Sequence, residues 1–105
     1  IRRAREKQIE AGGFRFTIRR PTDVEALALR DNNVGVSALL PFVIGWDGVK
    51  ELDLIPGGDP HPVPFDAEVA AEWLTDQPDL LTTLSIAVME AYKAHVAARE
   101  DAKKN

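Results

Sequence analysis

Apolar positions are sparse at the start of the chain, alternate briefly, and then recur at helical spacing towards its end. Residues 1–11 carry Arg2, Arg3, Arg5, Glu6, Lys7, Gln8 and Glu10, all good helix formers. Ile1, Ala4 and Ile9 supply a thin apolar side. The stretch predicts a helix that frays or needs a partner, stopped by Gly12-Gly13. Phe14-Arg15-Phe16-Thr17-Ile18-Arg19 then alternates with the period of a half-buried strand, with Phe14, Phe16 and Ile18 on one face. A single strand has no ladder. It is expected to pair with Val49–Leu54 or Val63–Phe65, or else with another chain.

Pro21-Thr22-Asp23-Val24-Glu25 is a helix start. Thr22 is the N-cap and Glu25, three residues on, completes a capping box. Asp23 and Glu25 suit the positive end of the helix dipole. Val24, Leu27 and Ala28 follow at helical spacing, and Asp31-Asn32-Asn33 marks a short break. Val36 to Ile44 is apolar on most sides and predicts a buried second helical stretch, in which Pro41 is tolerated if it falls in the first turn. A buried strand over Phe42–Gly45 is the competing reading.

Residues 42–66 form an elbow dense in turn formers, with Gly45, Gly48, Gly57 and Gly58 beside Pro56, Pro60, Pro62 and Pro64. Asp47-Gly48 and Pro56-Gly57-Gly58-Asp59-Pro60 are turn signals. The alternating prolines favour an extended path, pinned to the core by Val63 and Phe65. Asp66 then caps a helix, with Phe65 positioned to staple onto Ala70. Val69, Ala70, Trp73 and Leu74 make its stripe. Pro78 suits the first position of a last and longest helix, running to about Ala102. Its stripe is Leu81, Leu84, Val88, Ala91, Tyr92 and His95, widened by Leu80, Ile86, Ala87, Met89, Val96 and Ala97. These elements predict a mainly α fold. It is a single helical domain over 1–105 with four to five helices, a basic arm over 1–20, the elbow over 42–66, and at most one short β-strand pairing.

At 105 residues and 45% apolar, the chain is long enough to bury one core. A start at Ile1 instead of Met suggests that residues precede it, and no signal peptide is apparent. No apolar run approaches the length of a membrane span, and the absence of cysteine excludes disulfides and thiolate chemistry. Residues 1–20 carry a net +5 and residues 21–105 a net −9. A basic arm on an acidic body suits a solvated helix face, an acidic partner or nucleic acid. No zinc finger, aromatic RNP run or basic Gly-rich loop supports nucleic acid.

Catalytic chemistry finds little support. Asp53, Asp59, His61 and Asp66 lie close in sequence but match neither a calcium loop nor a zinc-hydrolase pair. They read as turn and cap residues. His95 is alone on a helix, and Ser85 lacks a nucleophile elbow. Gly57-Gly58 lacks the Lys of a phosphate loop. Glu68 and Glu72 are i, i+4 neighbours that read as solvated. The expectation is a protein with no enzymatic activity, cofactor or metal. Trp46, Phe65 and Trp73 are large anchors suited to a core or to an interface.

The elbow resembles the tail assembly chaperones of long-tailed, siphovirus-type bacteriophages and prophages. The likeness rests on Phe42-Val43-Ile44-Gly45-Trp46-Asp47-Gly48-Val49, on Val63-Pro64-Phe65-Asp66 opening a helix, and on Trp73-Leu74 and Pro78-Asp79-Leu80-Leu81. It covers roughly residues 14–96. The resemblance implies a mainly helical, non-enzymatic protein of the host cytoplasm. It would bind the tape-measure protein, help bring tail-tube subunits to it, and be absent from the mature virion. Trp46, Gly48, Pro64, Phe65, Asp66 and Trp73 would form the structural elbow. Alternatives are a tail completion or structural subunit and a small DNA-associated regulator. The elbow is too long for a helix-turn-helix turn. Arg2, Arg3, Arg5, Phe14, Phe16 and Ile18 are the expected partner-binding or self-association residues, because neither the thin helix nor the lone strand is satisfied within one small domain.

Overall fold

The computed structural model describes residues 2–31 and 35–104, and its first feature is a hairpin closed by two glycines. Gly12 and Gly13 have φ of +60° and +85°, the left-handed pair that a tight two-residue hairpin turn requires. They join β1 (Glu6–Ala11) to β2 (Phe14–Arg19), with Ile9 opposite Phe16 and Ala11 opposite Phe14. The predicted helix over residues 1–11 is therefore corrected. Only α1 (Arg2–Arg5) is helical, and Gly12-Gly13 is a hairpin turn and not a helix stop. Helix propensity in Glu6–Ala11 is worth tenths of a kcal/mol per residue. A full ladder against β2 outweighs it. The expected break at Asn32 and Asn33 lies outside the described residues, as do Ile1 and the side chains of Arg2 and Arg3.

β2 is the strand that its alternation predicts, and it is central. Its second partner is β3 (Val43–Asp47), with Phe16 opposite Trp46 and Ile18 opposite Val43. The sheet is antiparallel in the order β1-β2-β3. Neither Val49–Leu54 nor Val63–Phe65 provides the partner strand, and no second chain is needed to complete it. Thr17 faces Gly45 while Ile18 faces Val43, so Ile44 is the extra residue of a bulge. With this sheet and five α-helices among the described residues, the fold is mixed α/β, not mainly α with at most one short pairing.

α2 (Asp23–Asp31) follows β2 and starts as predicted. The Glu25 N–H donates to Thr22 Oγ1 at 3.2 Å, and the Thr22 N–H donates back to Glu25 Oε1 at 3.0 Å. Its expected apolar stripe faces the wrong way. Val24 is 77% and Leu27 48% exposed, while Leu29 packs on the core. Val36–Phe42 is a 3-10 helix, and the chain switches to β3 at Val43. The competing strand reading was thus nearer the outcome than one helix to Ile44. Pro41 sits near the end of this segment, not in its first turn.

The elbow beyond β3 doubles back on itself. It contains α3 (Glu51–Leu54), and its two limbs are tied by backbone bonds. Val63 N–H donates to Val49 O at 2.9 Å, Glu51 N–H to His61 O at 3.0 Å, and Leu52 N–H to Asp59 O at 3.0 Å. α4 (Ala67–Thr75) and α5 (Pro78–Lys104) complete the chain close to their predicted bounds. The inner face of the sheet packs on them through Phe16, Ile18, Leu74, Leu84 and Val88, each 1% exposed or less. Full burial of each such side chain stabilises by about 1.5–3 kcal/mol. Ile86, expected to widen the α5 stripe, is instead 58% exposed. The outer face of the sheet is polar, with Glu6, Gln8 and Glu10 opposite Arg19, Thr17 and Arg15.

Candidate partner-binding surface

The three aromatic residues of the expected structural elbow meet in one cluster. Trp46 on β3 meets Phe65 edge-on at 5.1 Å and Trp73 of α4 at 5.8 Å, and Trp73 meets Phe14 at 5.3 Å. Such edge-to-face pairs each add about 0.5–1.5 kcal/mol beyond burial. The Trp46 Nε1–H donates to Val63 O at 2.7 Å, joining the strand to the returning limb of the elbow. The Trp73 Nε1–H is buried without a hydrogen-bond acceptor. Asp66 caps α4 by accepting from the N–H groups of Glu68 and Val69 at 2.9 and 3.1 Å. Gly48 turns the chain with φ of +86°, and Pro64 is exposed beside the cluster.

Among the described side chains, the expected partner-binding residues Arg5, Phe14, Phe16 and Ile18 do not form one surface. Phe16 and Ile18 are fully buried against the chain's own helices, and Phe14 is half-buried in the aromatic cluster. The reason for assigning them to a partner, an unsatisfied strand, disappears once β1 and β3 flank β2. Arg5 lies at the end of α1, where its carbonyl accepts the Arg20 N–H at 2.9 Å and its Nε is buried without an acceptor.

Ion pairs of Glu25 and Asp23 help hold α2 in place. Arg19 forks both guanidinium nitrogens onto the Glu25 carboxylate at 2.9 Å, and it lies over the Phe42 ring at 4.5 Å. The Arg19 hydrogen bonds, opposed by burial and helped by Thr22, hold the Glu25 carboxyl down at about 2. Asp23 accepts from Tyr92 Oη at 2.9 Å and from Arg99 Nη1 at 2.6 Å, which links α2 to the distal half of α5. These bonds, that from Arg99 foremost, keep the Asp23 carboxyl below its ordinary range.

Several of the candidate catalytic and metal residues are engaged as structural groups. Asp53 accepts the Lys50 N–H at 2.9 Å, and Asp66 is the cap described above. His61 is exposed, and the ring of His95 lies 6.4 Å from that of Tyr92. Ser85 is buried and donates to Leu81 O at 2.8 Å, one helical turn back. Among the described residues no three His, Cys, Asp or Glu side chains gather as a metal site. Nor is any helix among them long and apolar enough to cross a membrane.

The surface instead offers apolar recesses that the periodicity did not mark. One lies between the 3-10 segment and α5, lined by Val36, Leu39, Ile86 and Met89, with Glu90 and Lys93 at its rim. A second, of about 460 Å³, runs between Leu40, Pro41 and Ile44 on one side and Ala67, Ala70 and Ala71 of α4 on the other. The alanines on one side of α4 were a legible signal for a close approach. The opposing wall depended on where β3 begins. No family model matches the chain, and no match is found among curated proteins or solved structures.

Proposed function

We propose that this chain is a non-enzymatic tail assembly chaperone of a long-tailed phage or prophage. In this role it binds the tape-measure protein in the host cytoplasm, helps recruit tail-tube subunits, and is left out of the finished virion. The observation that carries the reading is the convergence of the motif residues. Trp46 lies far in sequence from Phe65 and Trp73, yet the three form one aromatic cluster, with Asp66 capping the helix that carries Trp73. The resembling stretches thus make a single structural unit that joins the sheet to the helix pair. Apolar side chains left at the surface, Val24, Leu27, Val36 and Ile86 among them, are compatible with a protein that covers apolar stripes on another chain.

The test is co-expression with the tape-measure protein of the same tail gene cluster. The expected result is a tape-measure protein that is insoluble alone and co-purifies in soluble form with this chain. A tape-measure protein whose solubility is indifferent to this chain would overturn the reading.

A further inference from the structure

We propose that the groove between the 3-10 segment and α4 is a docking site for an amphipathic helix with a basic flank. This surface goes beyond the function proposed above, which assigns no face to any partner. Leu40, Pro41 and Ile44 form one wall, and Ala67, Ala70 and Ala71 form the other. The alanines allow another backbone to come close to α4. The α4 wall offers few main-chain partners to an incoming strand, because Glu68, Val69 and Ala70 donate to Asp66 and the N–H groups beyond them bond within the helix. Pro41 opposite has no N–H, and only the free edge of β3 at Ile44 could pair with a strand. A helix satisfies its own backbone and needs only apolar side chains to fill such a recess.

Charge selects the kind of helix. Between Glu51 and Tyr92 the sequence holds nine acidic residues and no Lys or Arg. Glu68 and Glu72 lie one position round α4 from the groove-lining Ala67 and Ala71, so they form an i, i+4 row along its edge. Both are exposed, and among the described residues neither carboxylate takes part in an ion pair or hydrogen bond. A row of unneutralised carboxylates beside an apolar floor favours Lys or Arg on the facing flank and repels an acidic one.

The test titrates the full chain into a dye-labelled peptide of about 18 residues, long enough to hold a helix, with Leu and Ala on one face and Lys on the other. Fluorescence anisotropy is read at low and at physiological salt. The Lys peptide is expected to bind about tenfold or more tighter than the same peptide with Glu in place of Lys, and to weaken with salt. A central proline in the peptide should abolish binding. The Glu68→Lys/Glu72→Lys variant should shift the preference by about tenfold or more towards the Glu peptide. Ala67→Arg, at the exposed first position of α4, should block the groove. If Ala67→Arg fails to give the native circular dichroism spectrum, the charge-reversed pair decides.

Several results would overturn the proposal. They are equal binding of the Lys and Glu peptides, no binding of the Lys peptide at about 1 mM protein, and an unchanged preference in the charge-reversed variant. Equal binding of the proline peptide would point to an extended occupant. Self-association of the wild type that Ala67→Arg removes would give the groove to a second copy.

Discussion

The indole of Trp46 and the carbonyl of Val63 meet at 2.7 Å, and this bond fastens the long elbow to the edge of the sheet. The intervening chain turns at Gly48, forms α3, turns again at Gly57 and returns antiparallel to itself. Trp46 therefore does two things, filling the aromatic cluster and closing the excursion. Replacing it separates the two roles. Trp46→Phe keeps a ring but leaves the Val63 carbonyl unpaired, and should cost about 1–2 kcal/mol. Trp46→Ala also empties the cluster and should cost about 3–5 kcal/mol. Urea melts of the two variants check the order, and a wild-type melt for Trp46→Ala would remove the indole from the core.

The Arg19–Glu25 pair makes stability depend on acid. Glu25 is lowered from an ordinary 4.5 to about 2 in the folded chain. Its contribution is thus present above about 4.5 and lost as pH falls towards 2. Both side chains are partly exposed, so the loss should be only about 1 kcal/mol. Glu25→Gln should be less stable than wild type at neutral pH, and the difference should close across that window. Melts at a series of pH values, with the variant as reference, isolate the pair.

Asp23 links α2 to the distal part of α5 through Tyr92 and Arg99. The side chains of α2 that face solvent include Val24 and Leu27, so little apolar packing backs that link up. Asp23→Asn should speed amide exchange across α2 while leaving exchange in β2 and the first half of α5 unchanged. Uniform protection in α2 would mean that the Arg19–Glu25 pair and the packing of Leu29 hold it without this link.

The hairpin turn is sensitive to side chains at its second glycine. Gly13 has φ of +85°, where a Cβ is strained whatever the space around it. Gly13→Val should cost about 1–2 kcal/mol. Gly12→Asn keeps a residue that tolerates φ of +60° and produces the commonest turn dipeptide, so it should cost less than about 1 kcal/mol. Paired denaturant melts test the contrast, and equal losses would show that the positive φ of Gly13 is not what makes the turn sensitive.

Local chemistry alone made several elements legible. The alternation of Phe14, Phe16 and Ile18 identified β2 and its buried face. Thr22 with Glu25, and Asp66 ahead of Ala67, fixed two helix starts, because a cap and its N–H groups lie within three residues of each other. Pro78 and the long apolar stripe identified α5. The aromatic residues of the elbow were identified as anchors, although their mutual contacts were not. Of the groove only the alanines of α4 were legible, since its two walls come from segments that only the fold brings together.

Pairing was what the tertiary structure decided. Glu6–Ala11 has the composition of a helix, yet it forms a strand because β2 lies a two-residue turn away and needs a neighbour. Val43–Asp47 continues an apolar run that reads as helical, yet it forms the other flank of β2. Strand pairing joins backbone N–H and C=O groups, which nearly every residue carries, so the sequence does not label which segments will meet. Caps and apolar periods are written in side chains and depend on near neighbours. The choice between helix and ladder is a balance of tenths of a kcal/mol per residue that distant contacts settle.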